Sequence, residues 1–286
     1  MSVLALILVL SSAVLHATWN WLAKRAAGGI PFVWLFSALS ATIYLPIVII
    51  TLLTLHPLIG NTEIVFMLGS SMLHLGYFFL LNRGYQVGDL SLVYPLSRGT
   101  GPVLAVVGAV ALFGERPSSL AVVGIALVTS GVFILTGDLK ALRRNGTAPA
   151  VIYGLLTGLV IAVYTLWDKL VVAGLLIPPL VLIWFSTVVR TLALIPYVLR
   201  HRSTVASLWR SYPKEALGIA VLDTLSYILF LAALTFSPVS YLSPARQISI
   251  LLGAFLGVRL LAESDARRRF IAAGVMLIGL VALTLG

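Results

Sequence analysis

The sequence predicts an all-α integral membrane protein whose ten transmembrane helices form two inverted five-helix repeats. Three observations predict it. First, 60% of the residues are hydrophobic and 10% charged, with a mean hydropathy of +1.09, whereas a soluble domain carries roughly 25% charged residues. Second, ten apolar stretches fill the 286 residues, each near the ~20 residues that a bilayer core of about 30 Å requires. Third, sliding the chain by 148 positions places Trp19 on Trp167, Pro31 on Pro179, Arg98 on Arg246, Glu115 on Glu263 and Gly131 on Gly279. An odd number of crossings per repeat inserts the two halves upside down relative to each other.

The expected spans are 2–23, 31–55, 63–82, 91–113, 118–136, 149–172, 178–199, 215–236, 240–262 and 268–285. The first is not read as a cleaved signal peptide. It lacks a basic start, runs too long, and is followed by Lys24 and Arg25 rather than a small-residue cleavage site. Spans one to five make a first repeat, residues 1–137. The polar, basic stretch GDLKALRRNGTA supplies a cytoplasmic linker at 138–148, and residues 149–286 make the second repeat. The loop at 200–214 is longer than the others and is expected on the membrane surface. No room remains for a separate soluble domain.

Charge sets the orientation. Odd-numbered loops hold 13 basic residues: Lys24, Arg25, Arg83, Lys140, Arg143, Arg144, Arg200, Arg202, Arg210, Lys214, Arg267, Arg268 and Arg269. Even-numbered loops hold only Arg116 and Lys169. Basic loops remain cytoplasmic, so both termini are expected outside. The net charge of +10 is thereby explained by membrane lipid headgroups, and no nucleic-acid partner is expected. The absence of cysteine excludes disulfides and thiolate-bound metal.

Ionisable residues within a bilayer usually face a cavity or a partner. Here they are His16, His74, Arg98, Arg190, Asp223 and Arg246. His74 lies eight residues from the basic end of the third span, about 12 Å at 1.5 Å per residue. Asp223 shares that depth, with Arg190 and His16 close to it. Arg190 and Asp223 stand on consecutive antiparallel helices at matched depth, so an ion pair is expected, with proton coupling through a free Asp223 as the alternative. Spacing of i, i+3 and i+4 aligns residues on one helix face. His16, Trp19 and Asn20 share such a face, as do Tyr164, Trp167 and Asp168, then His74, Tyr77 and Phe78, and finally Asp223, Ser226 and Tyr227. A polar cavity lining follows, although Trp167 and Asp168 lie close enough to a helix end for an interface role.

The fourth and ninth spans read YPLSRGTGPVLAVVGAVALFGER and YLSPARQISILLGAFLGVRLLAE. Pro95 and Pro244 remove a backbone donor and are expected to break their helices, with Tyr94 beside the first. Arg98 and Arg246 follow within a turn and are expected one near each mouth. There a guanidinium can hold a carboxylate or cap exposed carbonyls. The small residues Gly253 and Gly257, with Ala105 and Ala109 opposite, suit close packing of these two spans on each other.

With these motifs in place, the chain resembles the EamA-type members of the drug/metabolite transporter superfamily. The resemblance rests on HATWNWLAKRA in the first span, on NRGYQVGDLSLVYPLSRGTGP leading into the fourth, and on the Gly-Glu or Ala-Glu that closes the fourth helix of each half. It implies a secondary transporter of the bacterial inner (plasma) membrane. Such a protein moves small metabolites, most often amino acids, out of the cell by alternating access through a central cavity between the repeats. Members with ten helices are often placed with both termini in the cytoplasm; the loop charges here argue the reverse. Ala262 stands where the first repeat has Gly114, and Ser243 stands opposite Pro95.

No enzyme is expected: nine acids lie mostly at helix ends, and four histidines show no ligand spacing. No metal and no cofactor are expected. The preferred substrate is a small amino acid or similar zwitterion, because few fixed acids disfavour polyvalent cations and no dense Lys/Arg cluster awaits a diphosphate. Export of drugs or other lipophilic or aromatic solutes is the alternative, and a non-transporting accessory subunit is the rival of a different class. The chain is expected to act as a monomer, with a dimer as the other option.

Overall fold

The structure, a computed structural model, describes residues 1–26, 28–87, 90–136, 147–253 and 266–286. All regular structure among them is helical. The first half comprises α1 (Val3–Ala26), α2 (Gly29–Leu55), α3 (Asn61–Val87), α4 (Leu90–Phe113) and α5 (Ser119–Thr136). The second comprises α6 (Ala148–Lys169), extended by a π-turn at Leu170–Gly174, α7 (Pro179–Arg200), a short α8 (Arg202–Ser211), α9 (Pro213–Phe236), α10 (Val239–Ala245), α11 at 248–253 and α12 (Ala266–Leu285). Seven of these helices are long and apolar enough to cross a bilayer, and α5 and α12 contain shorter apolar runs. The ninth expected span is described only as far as Gly253. Expectations that fall on 137–146 and 254–265, including the linker charges, Gly257 and Glu263, lie outside the described residues.

Three local expectations are corrected. Helix α3 runs five residues past its expected end at 82, so Arg83 belongs to the helix and donates to Gln86 Oε1 at 3.1 Å. His74 consequently sits 13 residues from either end of Asn61–Val87, about 20 Å by the helical rise, at the middle of the helix. At Pro95 the expected break is absent: α4 runs unbroken through both Pro95 and Pro102. Pro95 is the sixth residue of that helix, so the carbonyl it leaves without a donor belongs to the first turn. Around Pro244, by contrast, α10 ends at Ala245, and Gln247, Ser249 and Ile250 bond back only three residues. The long loop at 200–214 folds as α8. It has no buried residue but sets Val205 and Leu208 against the cluster formed by Ala26, Phe32, Leu35, Phe36, Ala216, Ile219 and Ala220.

The two halves interleave. Under the 148-residue offset, α1 corresponds to α6, α2 to α7, α3 to α9, and α5 to α12. Several of the main packing pairs obey that correspondence: α1 on α9 mirrors α6 on α3, while α2 on α7 and α5 on α12 are each a helix packed on its own counterpart. The packing of α4 on α6, as extensive as that of α5 on α12, has only a slight mirror, α10 on α1, among the described residues. Glycines mark the closest of these contacts. A Cβ on Gly124 would meet Gly279 O at 2.7 Å, and one on Gly131 would meet Ala272 O at 3.2 Å. Positions 124 and 131 map onto 272 and 279, so one contact is the symmetry mate of the other. The pseudo-dyad passes between α5 and α12.

Polar side chains on the outer faces are consumed locally. Thr42, Thr51 and Thr54 are exposed and return their hydroxyls to carbonyls of their own helix at 2.8–2.9 Å, which keeps a donor satisfied where lipid offers no partner. Large apolar residues fill the rest of that surface, Ile50 and Leu53 on α2 and Ile278 and Val281 on α12 among them.

Candidate functional site

The inner faces of α1, α3, α4, α6 and α9 and the turn after α10 carry the polar residues. Arg246 leaves the helix at the interruption beyond Pro244, and its guanidinium lies over the rings of Tyr227 (4.8 Å) and Phe230 (4.3 Å). Arg98 extends from α4 over the ring of Tyr94 at 5.7 Å. Both arginines act electrostatically on His16 and on Tyr164, and on each other. The expectation of one near each mouth gives way to a shared neighbourhood, since both guanidinium groups come within electrostatic range of His16 and Tyr164. The physical reason is side-chain length: guanidinium groups on long stems extend from helices entering from opposite sides. Among the described residues no carboxylate lies within ion-pair distance of either arginine.

Aromatic rings gather around these groups. Tyr164 stacks on His74 at 4.3 Å and meets Tyr77 edge-on at 5.9 Å. Tyr85, which the sequence reading did not single out, lies in electrostatic range of Arg98 together with Tyr77 and Tyr94. On the α7–α9 side, Arg190 Nη2 stands 3.6 Å from Asp223 Oδ2 with both side chains about a quarter exposed, at 28% and 24%. The Arg190 guanidinium also covers Phe36 at 5.7 Å.

Three expected lining residues are placed elsewhere. Asn20 is exposed and gives its amide to His16 O at 2.7 Å. Phe78 packs edge-on against its neighbour Phe79. Trp167 stacks on Phe66 at 4.7 Å, donates to Phe66 O at 2.8 Å, and covers Gly69, where a Cβ would meet the indole at 2.7 Å. It ties α6 to α3.

Asp168 is the residue whose role changes most. Read from the sequence as a candidate for a helix-end interface, it is fully buried at 0% exposure. The helix does not end there. A π-turn continues it through Gly174, with Leu175 N–H bonded to Leu170 O at 2.9 Å. The Asp168 carboxylate accepts hydrogen bonds from Ser70 (2.5 Å) and Tyr227 (2.5 Å), and His74 Nε2 lies 3.0 Å from Oδ2. Three helices meet on this one group. The next residue, Lys169, is correspondingly no loop residue. Its ammonium donates to Leu234 O at 2.6 Å and Ser237 O at 3.1 Å, closing the end of α9. Beside it Gly114, at φ +65°, turns the chain so that Glu115 accepts from the Val239 and Ser240 N–H groups, both at 2.8 Å.

A multi-helix membrane bundle of two interleaved, inverted repeats with polar and aromatic side chains gathered on its inner faces fits the architecture of a secondary transporter. The comparisons agree on the class and supply the family. The EamA-like transporter family matches residues 3–137 and again residues 148–285, so the chain belongs to that family. One solved crystal structure, described only as that of a protein, aligns at 18% identity over 98% of this chain and 98% of its own, with a TM-score of 0.73. That likeness is one of fold. No curated protein matches the chain.

Proposed function

We propose that the protein exports small amino acids or similar zwitterions by alternating access, with the substrate carboxylate held between Arg98 and Arg246. The observation that carries this reading is the charge gathered on those inner faces. Two guanidinium groups converge there without a carboxylate partner among the described residues, beside Tyr77, Tyr164 and Tyr227. A planar fork recognises a carboxylate through two parallel hydrogen bonds, and tyrosine faces accept an ammonium. The setting proposed is the bacterial inner membrane that the family resemblance implies, with both termini outside as loop charge favours and one chain as the working unit.

The test is counterflow in lipid vesicles containing the purified chain, using a uniformly ¹⁴C-labelled amino-acid mixture. Saturable exchange is expected. Arg246→Lys keeps the charge but loses the fork; a charge-assisted hydrogen bond is worth about 1.5–3 kcal/mol, so half-saturation should rise roughly 10- to 100-fold. An unchanged half-saturation refutes the assignment of Arg246. The same aromatic lining favours a second reading, export of lipophilic or aromatic solutes. Competition by aromatic compounds lacking a carboxylate, with none by amino acids, would select it.

A further inference from the structure

The Asp168 cluster is not accounted for by the repeat. Under the 148-residue offset Asp168 falls on Asn20, Tyr227 on Phe79, His74 on Leu222 and Ser70 on Gly218. Three of the four have no polar counterpart, and Asp168 has only the neutral amide of Asn20, although helices of both halves share the same packing. The scaffold is therefore built without them in one half. Among the described residues Asp168 is also the only buried acid. Ser70 donates to Oδ1 and Tyr227 to Oδ2. His74 Nε2, donor or acceptor according to its tautomer, stands 3.0 Å from Oδ2, the one contact of the three in which a proton can be held between acid and base.

His74 differs from Asp168 in access. Its side chain is 25% exposed against 0% for the acid. With Nε2 directed at Asp168, the second ring nitrogen makes no hydrogen bond among the described residues. We propose that His74 and Asp168 form a proton-binding site, and that the proton carried on the His74 imidazole is exchanged for outgoing substrate. Asp168 remains a carboxylate throughout; the proton enters and leaves at the free ring nitrogen, one proton moving inward as one substrate moves outward. This rests on the transporter reading above.

Two contacts link the site to the substrate. Tyr227 donates to Asp168 Oδ2 and lies beneath the Arg246 guanidinium at 4.8 Å, so a carboxylate arriving on Arg246 is one ring away from the pair. The imidazole itself stacks on Tyr164, where an imidazolium would repel a substrate ammonium. Proton and zwitterion thus exclude each other, as antiport requires. Asp223 on α9, itself held by Arg190 of α7, acts electrostatically on His74. Tyr77 on α3, Arg98 on α4 and Arg246 beyond α10 act with Asp168 on Tyr164, and Tyr94 on α4 and His16 on α1 lie one step further, against the two arginines. Lys169 turns away to the α9 carbonyls.

The experiment uses the full chain in phosphatidylethanolamine/phosphatidylglycerol vesicles with the ¹⁴C-labelled amino-acid mixture. Wild type should accumulate label when the lumen is acid, up to roughly tenfold per pH unit for one-for-one exchange. His74→Gln, which can still donate to Asp168, should retain measurable counterflow, showing that it folds, yet lose gradient-driven accumulation. Asp168→Asn should lose it as well. The proposal is overturned if His74→Gln accumulates label like wild type, if Asp223→Asn alone abolishes accumulation, if wild type exchanges but ignores the gradient, or if an acid exterior drives uptake. Absence of any wild-type counterflow would instead defeat the amino-acid reading. The proton site would then be judged by the His74 ¹⁵N imidazole resonance in detergent, identified by its loss in His74→Gln. Titration between about pH 5 and 8 that changes in Asp168→Asn supports the site, and no titration overturns it.

Discussion

The pseudo-dyad contact between α5 and α12 can be tested with two substitutions on one helix. A Cβ at Gly279 would stand 2.8 Å from Val128 N, 2.9 Å from Gly124 O and 2.9 Å from Leu127 Cβ. Two of those three are backbone atoms of the facing helix, so they cannot rotate aside and the helices must separate. At Gly274, on the same helix, a Cβ meets nothing within 4 Å. Replacing either glycine with alanine gains the same intrinsic helix preference, about 1 kcal/mol. That gain cancels in the difference between Gly279→Ala and Gly274→Ala, leaving the steric cost alone. Overpacking a filled contact costs about 1–3 kcal/mol, and Val128, Met276 and Leu283, all fully buried at this interface, would be parted as well. At about 2–4 °C per kcal/mol, Gly279→Ala should melt roughly 2–12 °C below Gly274→Ala in detergent. Gly131→Ala should fall between them, because its nearest obstacle is the flexible Met276 side chain. Equal melting temperatures for Gly279→Ala and Gly274→Ala would refute the close approach and, with it, the placement of the dyad.

Two further outcomes are expected. A cysteine at Ser2, the only thiol in a chain without cysteine, should react with an impermeant maleimide in intact cells; labelling only after lysis would reverse the orientation drawn from loop charge. Lys169→Met keeps the stem but removes two charge-assisted bonds to the α9 end, so it should cost about 1.5–3 kcal/mol, read as a lowered melting temperature, whereas an unchanged one would show that water replaces the ammonium there.

What the sequence made legible was whatever depends on hydropathy and repetition. Span positions agree with the helices to within a few residues, and the 148-residue offset predicts which helices meet, because both follow from one-dimensional pattern. Asp168 was out of reach for a local reason. A polar Asp-Lys pair near the expected end of an apolar run reads as an exit from the membrane, and nothing in that pattern shows that the two side chains turn inward to Ser70, His74, Tyr227 and the α9 carbonyls. Arg98 and Arg246 misled for a tertiary reason, since sequence depth locates Cα atoms and not the ends of long side chains. Pro95 misled because α4 carries it at the cost of one hydrogen bond to a first-turn carbonyl and continues through it, while Pro244 stands one residue before a helix that stops.

The departures from symmetry carry a consequence for the proposed cycle. If two identical inverted repeats exchanged conformations, the inward-facing and outward-facing states would have equal energy. Consecutive positions break that equality here: Asn20 and Trp21 in α1 become Asp168 and Lys169 in α6. Lys169 holds the α9 end through two carbonyls, but Trp21 can donate no such pair and instead lies under Arg25 at 5.0 Å. If the Lys169 bonds are made in one state and broken in the other, their contribution of about 1.5–3 kcal/mol biases the two-state equilibrium roughly 10- to 100-fold. Asp168, beside it, places the acid where that bias is set. Such an inequality sets which state the empty carrier rests in and cannot by itself drive solute uphill. In the proposed cycle that work comes from the proton exchanged, and the residue that sets the bias is adjacent to the one that holds the proton's partner.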